Sequence, residues 1–138
     1  MSAEEQIEVL YNSCYGGWNI SEKAYELYKL RNPNIDSNET EFDCNRSDPI
    51  LIEIYKELGK EFDGKYSETK ITKISKKYKN YYYIKEYDGN ELVMINYTKY
   101  NFDNMYNKII EILNNDNNND EKISEIKKFM LTFTSINI

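Results

Sequence analysis

Cys14 is the side chain best placed to act as a nucleophile. In Tyr11-Asn12-Ser13-Cys14-Tyr15-Gly16-Gly17-Trp18 a thiol, aromatic rings and a glycine pair meet where strand-like alternation gives way to a helical pattern. Backbone amides near the start of that helix could hold an anion or activate the thiol. Cys14, Tyr15, Gly16, Gly17 and Trp18 are therefore candidate binding residues. The competing reading is packing around a turn that only the glycine pair permits, since free cysteine is among the most buried residue types. The chain contains no histidine. That excludes Ser–His–Asp and Cys–His nucleophile pairs, histidine bases and every histidine-containing zinc site. Cys14 would need a lysine or a carboxylate as its base.

Acidic groups form a second cluster. Glu86, Asp88 and Glu91 surround Tyr87-Asp88-Gly89-Asn90, where three carboxylates could hold a hard cation or share acid–base work. Acids near hairpin turns are also common without any such role, and EF-hand spacing is absent. Arg46 could clamp an anion or simply pair with Asp48. Two cysteines, Cys14 and Cys44, are too few for zinc or for a disulfide framework. Neither a metal nor a cofactor is expected. No Walker loop, GxGxxG, GxSxG or CxxC motif occurs.

The segment Lys65–Lys85 carries seven lysines against one acid, Glu68, with five tyrosines interleaved. Lysines with stackable rings suit a single-stranded nucleic-acid groove, for which Lys70, Lys73, Lys76, Lys77, Lys79, Tyr81 and Tyr83 are the candidates. The net charge of the whole chain is −6, so the remainder carries −12 and would repel phosphate beyond that patch. Lysines also guard exposed strands, and a solvated strand face or a contact with an acidic partner is the stronger expectation.

The length of 138 residues suits a single domain, here a core over 9–97 with a helical extension over 101–138. Nothing approaches the ~20 consecutive apolar residues of a membrane span. The acidic opening MSAEEQIEVL lacks the features of a secretion signal, so a reducing, cytoplasmic setting with free thiols is expected. Asn, Ile, Lys and Tyr make up 65 residues. All four use AT-rich codons, so the Asn run Asn114–Asn119 reads as composition and as a soluble connector.

The elements that must position these groups follow from period and punctuation. Ile7–Ser13 alternates as a strand. Ser21 caps a helix over Glu22–Leu30, with Ala24, Leu27 and Tyr28 inward. Asn32–Asn45 is a polar loop. Asp48-Pro49 starts a helix whose apolar face runs Ile50, Leu51, Ile54, Tyr55, Leu58, Phe62, closed by Asp63-Gly64. Thr69–Ile74 is a strand. Tyr81–Tyr87 and Glu91–Tyr97 flank an Asp-Gly turn of type I′, and apolar residues on both faces of the second strand predict cover on both sides. Asp103 caps a helix to about Asn114 with Met105, Tyr106, Ile109, Ile110 and Leu113 inward. Asp120–Leu131 forms the last helix with Ile123, Ile126, Phe129 and Met130 inward, and Thr132–Ile138 alternates like a strand. The sum is an α+β fold, a small, mostly antiparallel sheet packed by about four helices.

The strings YNSCYGGWNISEKAYELY, RSDPILIEIYKELG, KITKI and YYYIKEYDGNE resemble a set of uncharacterised small proteins of bacteriophages and giant DNA viruses. Their pattern runs C-Y-G-G-[FW], D-P-x-L with E-L-G, and E-Y-D-G-x-E. It matches Cys14 to Trp18, Ser21, Arg46, Asp48, Pro49, Glu57, Leu58, Gly59, Glu86 to Gly89, and Glu91. The resemblance covers Val9–Tyr97 and ends before the Asn-rich C-terminal third. It implies a lineage, not a reaction, and suggests that the glycine loop, Arg46 and the hairpin acids converge on one side of the sheet. The function expected from all of this is non-enzymatic binding of a macromolecule. The expected partner is a protein, which could be a second copy held through the tyrosine-rich hairpin, or a host or viral protein. Nucleic-acid binding and a small-ligand or enzymatic site around Cys14–Trp18 are the alternatives, and no membrane role is expected.

Overall fold

A computed structural model of the chain describes residues 4–34 and 45–136, with side chains to Thr132. Cys44 and most of the polar loop before Asp48 lie outside the described residues. The chain divides into two compact units, Met1–Ile95 and Asn96–Ile138.

In the first unit β1 (Gln6–Asn12) pairs antiparallel with β2 (Thr69–Ser75), with Val9 opposite Thr72 and Asn12 opposite Thr69. β3 (Tyr82–Tyr87) and β4 (Asn90–Ile95) form a separate hairpin, so the strands make two ladders of two and not one sheet. Asp88 at φ 52° and Gly89 at φ 90° give the hairpin its type I′ turn. The fold class is α+β, as the sequence predicts.

α1 (Glu22–Arg31) begins at Ser21, whose hydroxyl accepts the Ala24 N–H at 3.2 Å. α2 (Pro49–Leu58) begins at Asp48, whose carboxylate accepts the Ile50 N–H at 2.9 Å while the Tyr28 hydroxyl donates to its other oxygen. One cap residue therefore serves both helices. The core joins Leu10, Ala24, Tyr28, Leu51, Ile54 and Phe62, all buried, with Tyr55 meeting Phe62 edge-on at 5.3 Å. α2 stops earlier than Asp63-Gly64. Gly59, at φ 58°, ends it, and a 3-10 turn over Gly59–Phe62 carries Phe62 into the core.

The second unit is a helical pair, α3 (Tyr97–Leu113) and α4 (Asn119–Ile136). α3 starts six residues before Asp103, because the Asn96 side chain accepts the Lys99 N–H at 3.0 Å and serves as cap. The strand expected over Thr132–Ile138 is helical through Ile136, where the helix satisfies its backbone within itself. Asn114–Asn119 is structured: Asn117 donates to Glu125 at 2.7 Å, and the Asn118 side chain accepts the Glu121 N–H at 2.9 Å.

Inward residues are fewer than the periodicity predicts. Ile112 is buried, Met105 and Ile109 half-buried, and Ile126 and Phe129 half-buried on α4. Tyr106, Ile110 and Leu113 on α3, and Ile123 and Met130 on α4, are exposed. The apolar arc of each helix is wider than one neighbouring helix can cover. β4 likewise exposes Leu92 and Met94, so it is covered on one side only. Among the described residues no helix is long and apolar enough to cross a membrane.

Candidate functional site

Asn12 closes β1 fully buried, and an amide so placed without partners would be strongly unfavourable. Both polar atoms of its side chain and its backbone N–H are engaged. Its side-chain N–H groups donate to the Gly89 carbonyl at 2.8 Å and the Cys14 carbonyl at 3.0 Å. Its side-chain oxygen accepts the Glu68 N–H at 2.8 Å and the Cys14 thiol at 3.4 Å. Its backbone N–H donates to Glu91 Oε1 at 2.7 Å.

Glu91 points inward from β4 and takes both arms of Arg46, at 2.7 and 2.9 Å. The pair is largely withdrawn from water, with side chains 17% (Arg46) and 7% (Glu91) exposed. The guanidinium carbon lies 3.7 Å from the centroid of the Trp18 ring. The Trp18 indole N–H donates in turn to the Thr69 hydroxyl at 3.1 Å. Stacking suits the planar guanidinium, which also matches a carboxylate with two parallel bonds. The Arg46 carbonyl accepts the Leu10 N–H at 2.8 Å, so this loop residue also runs along the open edge of β1.

The hairpin turn presses into the glycine loop. A Cβ on Gly89 would lie 2.4 Å from the Gly17 nitrogen and 2.6 Å from the Tyr15 carbonyl oxygen. Glu86 accepts the Gly89 N–H at 3.0 Å and so braces the turn. The glycine loop, Arg46 and Glu91 thus meet around Asn12, while the side chains of Tyr15, Glu86 and Asp88 are exposed. Glu86 and Glu91 sit opposite one another in the ladder, yet one holds the turn and the other holds Arg46. Among the described residues no group of three His, Cys, Asp or Glu is placed to hold a metal ion. The Cys14 thiol donates to the Tyr66 carbonyl at 3.1 Å as well as to Asn12. Chemically, this is a junction whose charges and donors answer one another.

The lysine-rich segment is met by acids. Lys76 donates to Glu5 at 2.9 Å and holds that carboxyl below its ordinary range. Lys77 lies 3.8 Å from Glu4 and Lys70 4.0 Å from Glu68. Lys73 faces Glu8 across the β1–β2 ladder. Tyr81 is half-buried and Tyr83 exposed. A shallow cleft of about 410 Å³ brings Lys79, Tyr82 and Tyr83 beside Arg46. The Tyr82 hydroxyl is within 3.1 Å of Asn45 Oδ1 and Ser47 Oγ on its wall.

The ladder register gives the hairpin two unlike faces. Tyr82, Ile84, Glu86, Glu91, Val93 and Ile95 share the inner one. Tyr83, Lys85, Tyr87, Leu92 and Met94 share the outer one, with Tyr87 78% and Leu92 58% exposed. Asn12, the hub of the junction, was not among the candidates. The sequence carries no signal for it, because Asn12 falls in the polar phase of the Ile7, Val9, Tyr11 alternation.

Compared with known proteins, the chain matches no family model, no curated protein and no solved structure.

Proposed function

We propose that this protein works by binding another protein through the outer face of the β3–β4 hairpin. The observation that supports it is the patch of Tyr83, Tyr87, Leu92 and Met94, exposed on a hairpin whose inner face is anchored by the Glu91–Arg46 pair. Rigid aromatic and apolar side chains on a fixed ladder lose little entropy on docking. Lys85 within the patch and Lys79 near its end suit a partner surface offering carboxylates. A cytoplasmic site of action fits the free thiol of Cys14. The resemblance to phage and giant-virus proteins would make the partner one met in an infected cell or in the particle.

This reading is preferred to single-stranded nucleic-acid binding because Glu5, Glu4 and Glu68 already accompany Lys76, Lys77 and Lys70. It is preferred to a ligand site at Cys14–Trp18 because the Trp18 face is occupied by Arg46 and the glycine loop by the hairpin turn. The test is affinity capture with the full chain, compared with Tyr83→Ser/Leu92→Ser. A defined protein retained by the wild type and lost by the variant, with far-UV circular dichroism unchanged, is the expected result. Identical retention by both would remove the hairpin face from the reading. Tight salt-sensitive binding of single-stranded RNA or DNA at ~50 mM salt would replace it.

A further inference from the structure

Among the described residues the second unit exposes apolar side chains along both of its helices. On α3, Phe102, Tyr106, Ile110 and Leu113 follow at spacings of four, four and three, a single stripe beside the one formed by Met105, Ile109 and Ile112. Phe102 is 60% and Tyr106 59% exposed. On α4, Ile123 and Met130, seven residues apart, flank the half-buried Ile126 and Phe129 in the same way. For an antiparallel pair joined by a short connector, helical geometry puts both exposed stripes on one side of the two-helix layer. Leu113 lies near Ile123 at the connector end, where Lys122 donates to the Leu113 carbonyl at 2.9 Å.

We infer that this face is the seat of a second copy of the chain, two α3–α4 layers closing face to face into a four-helix bundle. A layer of two helices with one wet and one apolar side is half of such a bundle, and a two-fold axis makes one surface complementary to itself. Charge does not oppose a like partner. The segment 96–138 holds five lysines and six acids, a net charge of −1, so two copies do not repel through it. The rim mixes signs, with Lys99 and Asp103 on α3 and Asp120 and Lys127 on α4. The size is also right. Six side chains at about 100 Å² each give on the order of 600 Å² per protomer, and the polar rim brings this near the ~800 Å² of a standard interface. This surface belongs to a different unit from the hairpin patch, so either can fail without the other.

The test is sedimentation equilibrium of the full chain, in reductant, up to about 100 μM. The wild type is expected at twice its 16.5 kDa chain mass. Tyr106→Glu/Ile110→Glu is expected to weaken the dimer at least about thirtyfold. Circular dichroism checks that α3 survives, and if it does not, Phe102→Ser/Ile123→Ser is the milder variant with the same expected loss. A wild type that stays monomeric throughout, or a dimer untouched by folded variants of this stripe, would overturn the inference. So would a dimer dissolved by Leu92→Glu instead, which places self-association on the hairpin.

Discussion

Arg46 grips Glu91 with two hydrogen bonds of 2.7 and 2.9 Å while its guanidinium sits over the Trp18 ring. Forty-five positions separate the two charges in the chain. The contact welds the loop before α2 to the hairpin, and the Asn12 N–H adds a third bond to the same carboxylate.

Removing one partner of a withdrawn ion pair leaves the other charge without compensation. Glu91→Ala is expected to lower unfolding stability by about 3–5 kcal/mol, measured by urea denaturation. Arg46→Ala should be comparable, and the double variant should lose clearly less than the sum of the two. Simple additivity would show that the pair is not coupled in solution.

Gly17 and Gly89 both have positive φ but differ in the space around them. Nothing lies within 4 Å of a Cβ at Gly17, whereas at Gly89 the added atom meets backbone at 2.4 Å. Gly17→Ala should cost about 1–2 kcal/mol, the left-handed strain alone. Gly89→Ala should cost several times more, because the turn must leave the glycine loop. Equal melting temperatures for the two variants would refute the close approach.

The two faces of β4 should respond differently to charge. Leu92→Asp, on the outer face, is expected to stay within about 0.5 kcal/mol of wild type. Val93→Asp, on the inner face, should lose more than about 2 kcal/mol. Reversed sensitivities in thermal melts would mean that the register is shifted by one residue.

Arg31 donates two bonds to Glu57, at 3.0 and 2.8 Å, and this hydrogen bonding holds the Glu57 carboxyl below its ordinary value of 4.5. Lys76 does the same for Glu5. A carboxyl whose folded pKa is depressed contributes stability that is present above 4.5 and is lost as pH falls through the folded value. The urea midpoint should therefore decline on acidification below that point. Glu57→Gln should flatten part of the decline, and high salt should mute it, because both groups are exposed. An unchanged profile for Glu57→Gln would show that the pair does not form.

What the sequence made legible is what short-range chemistry decides. Asp48-Pro49 and Ser21 mark helix starts because a cap is a contact across two or three residues, and Asp-Gly marks the hairpin because both central residues take positive φ. The junction was legible only as a convergence of segments. The sequence offered Asp48 as a partner for Arg46, but Asp48 is taken by the α2 cap and Tyr28, and Arg46 pairs with Glu91 instead. The start of α3 was hidden because Asn96 follows a strand and nothing in the local period distinguishes a cap from one more alternating residue. The inward set of α3 and α4 was too wide because periodicity counts apolar residues, not the surface available to cover them.

The open side of β1 is covered along its C-terminal half. The Leu10 and Asn12 amides, which another chain could use as a template, already donate to the Arg46 carbonyl and the Glu91 carboxylate. A short polar loop and one acid thus shield this stretch of the edge from strand pairing. Loss of Glu91 should consequently show itself in slow fibre formation as well as in lower stability, since it uncovers a buried amide beside the apolar Val9–Leu10 pair.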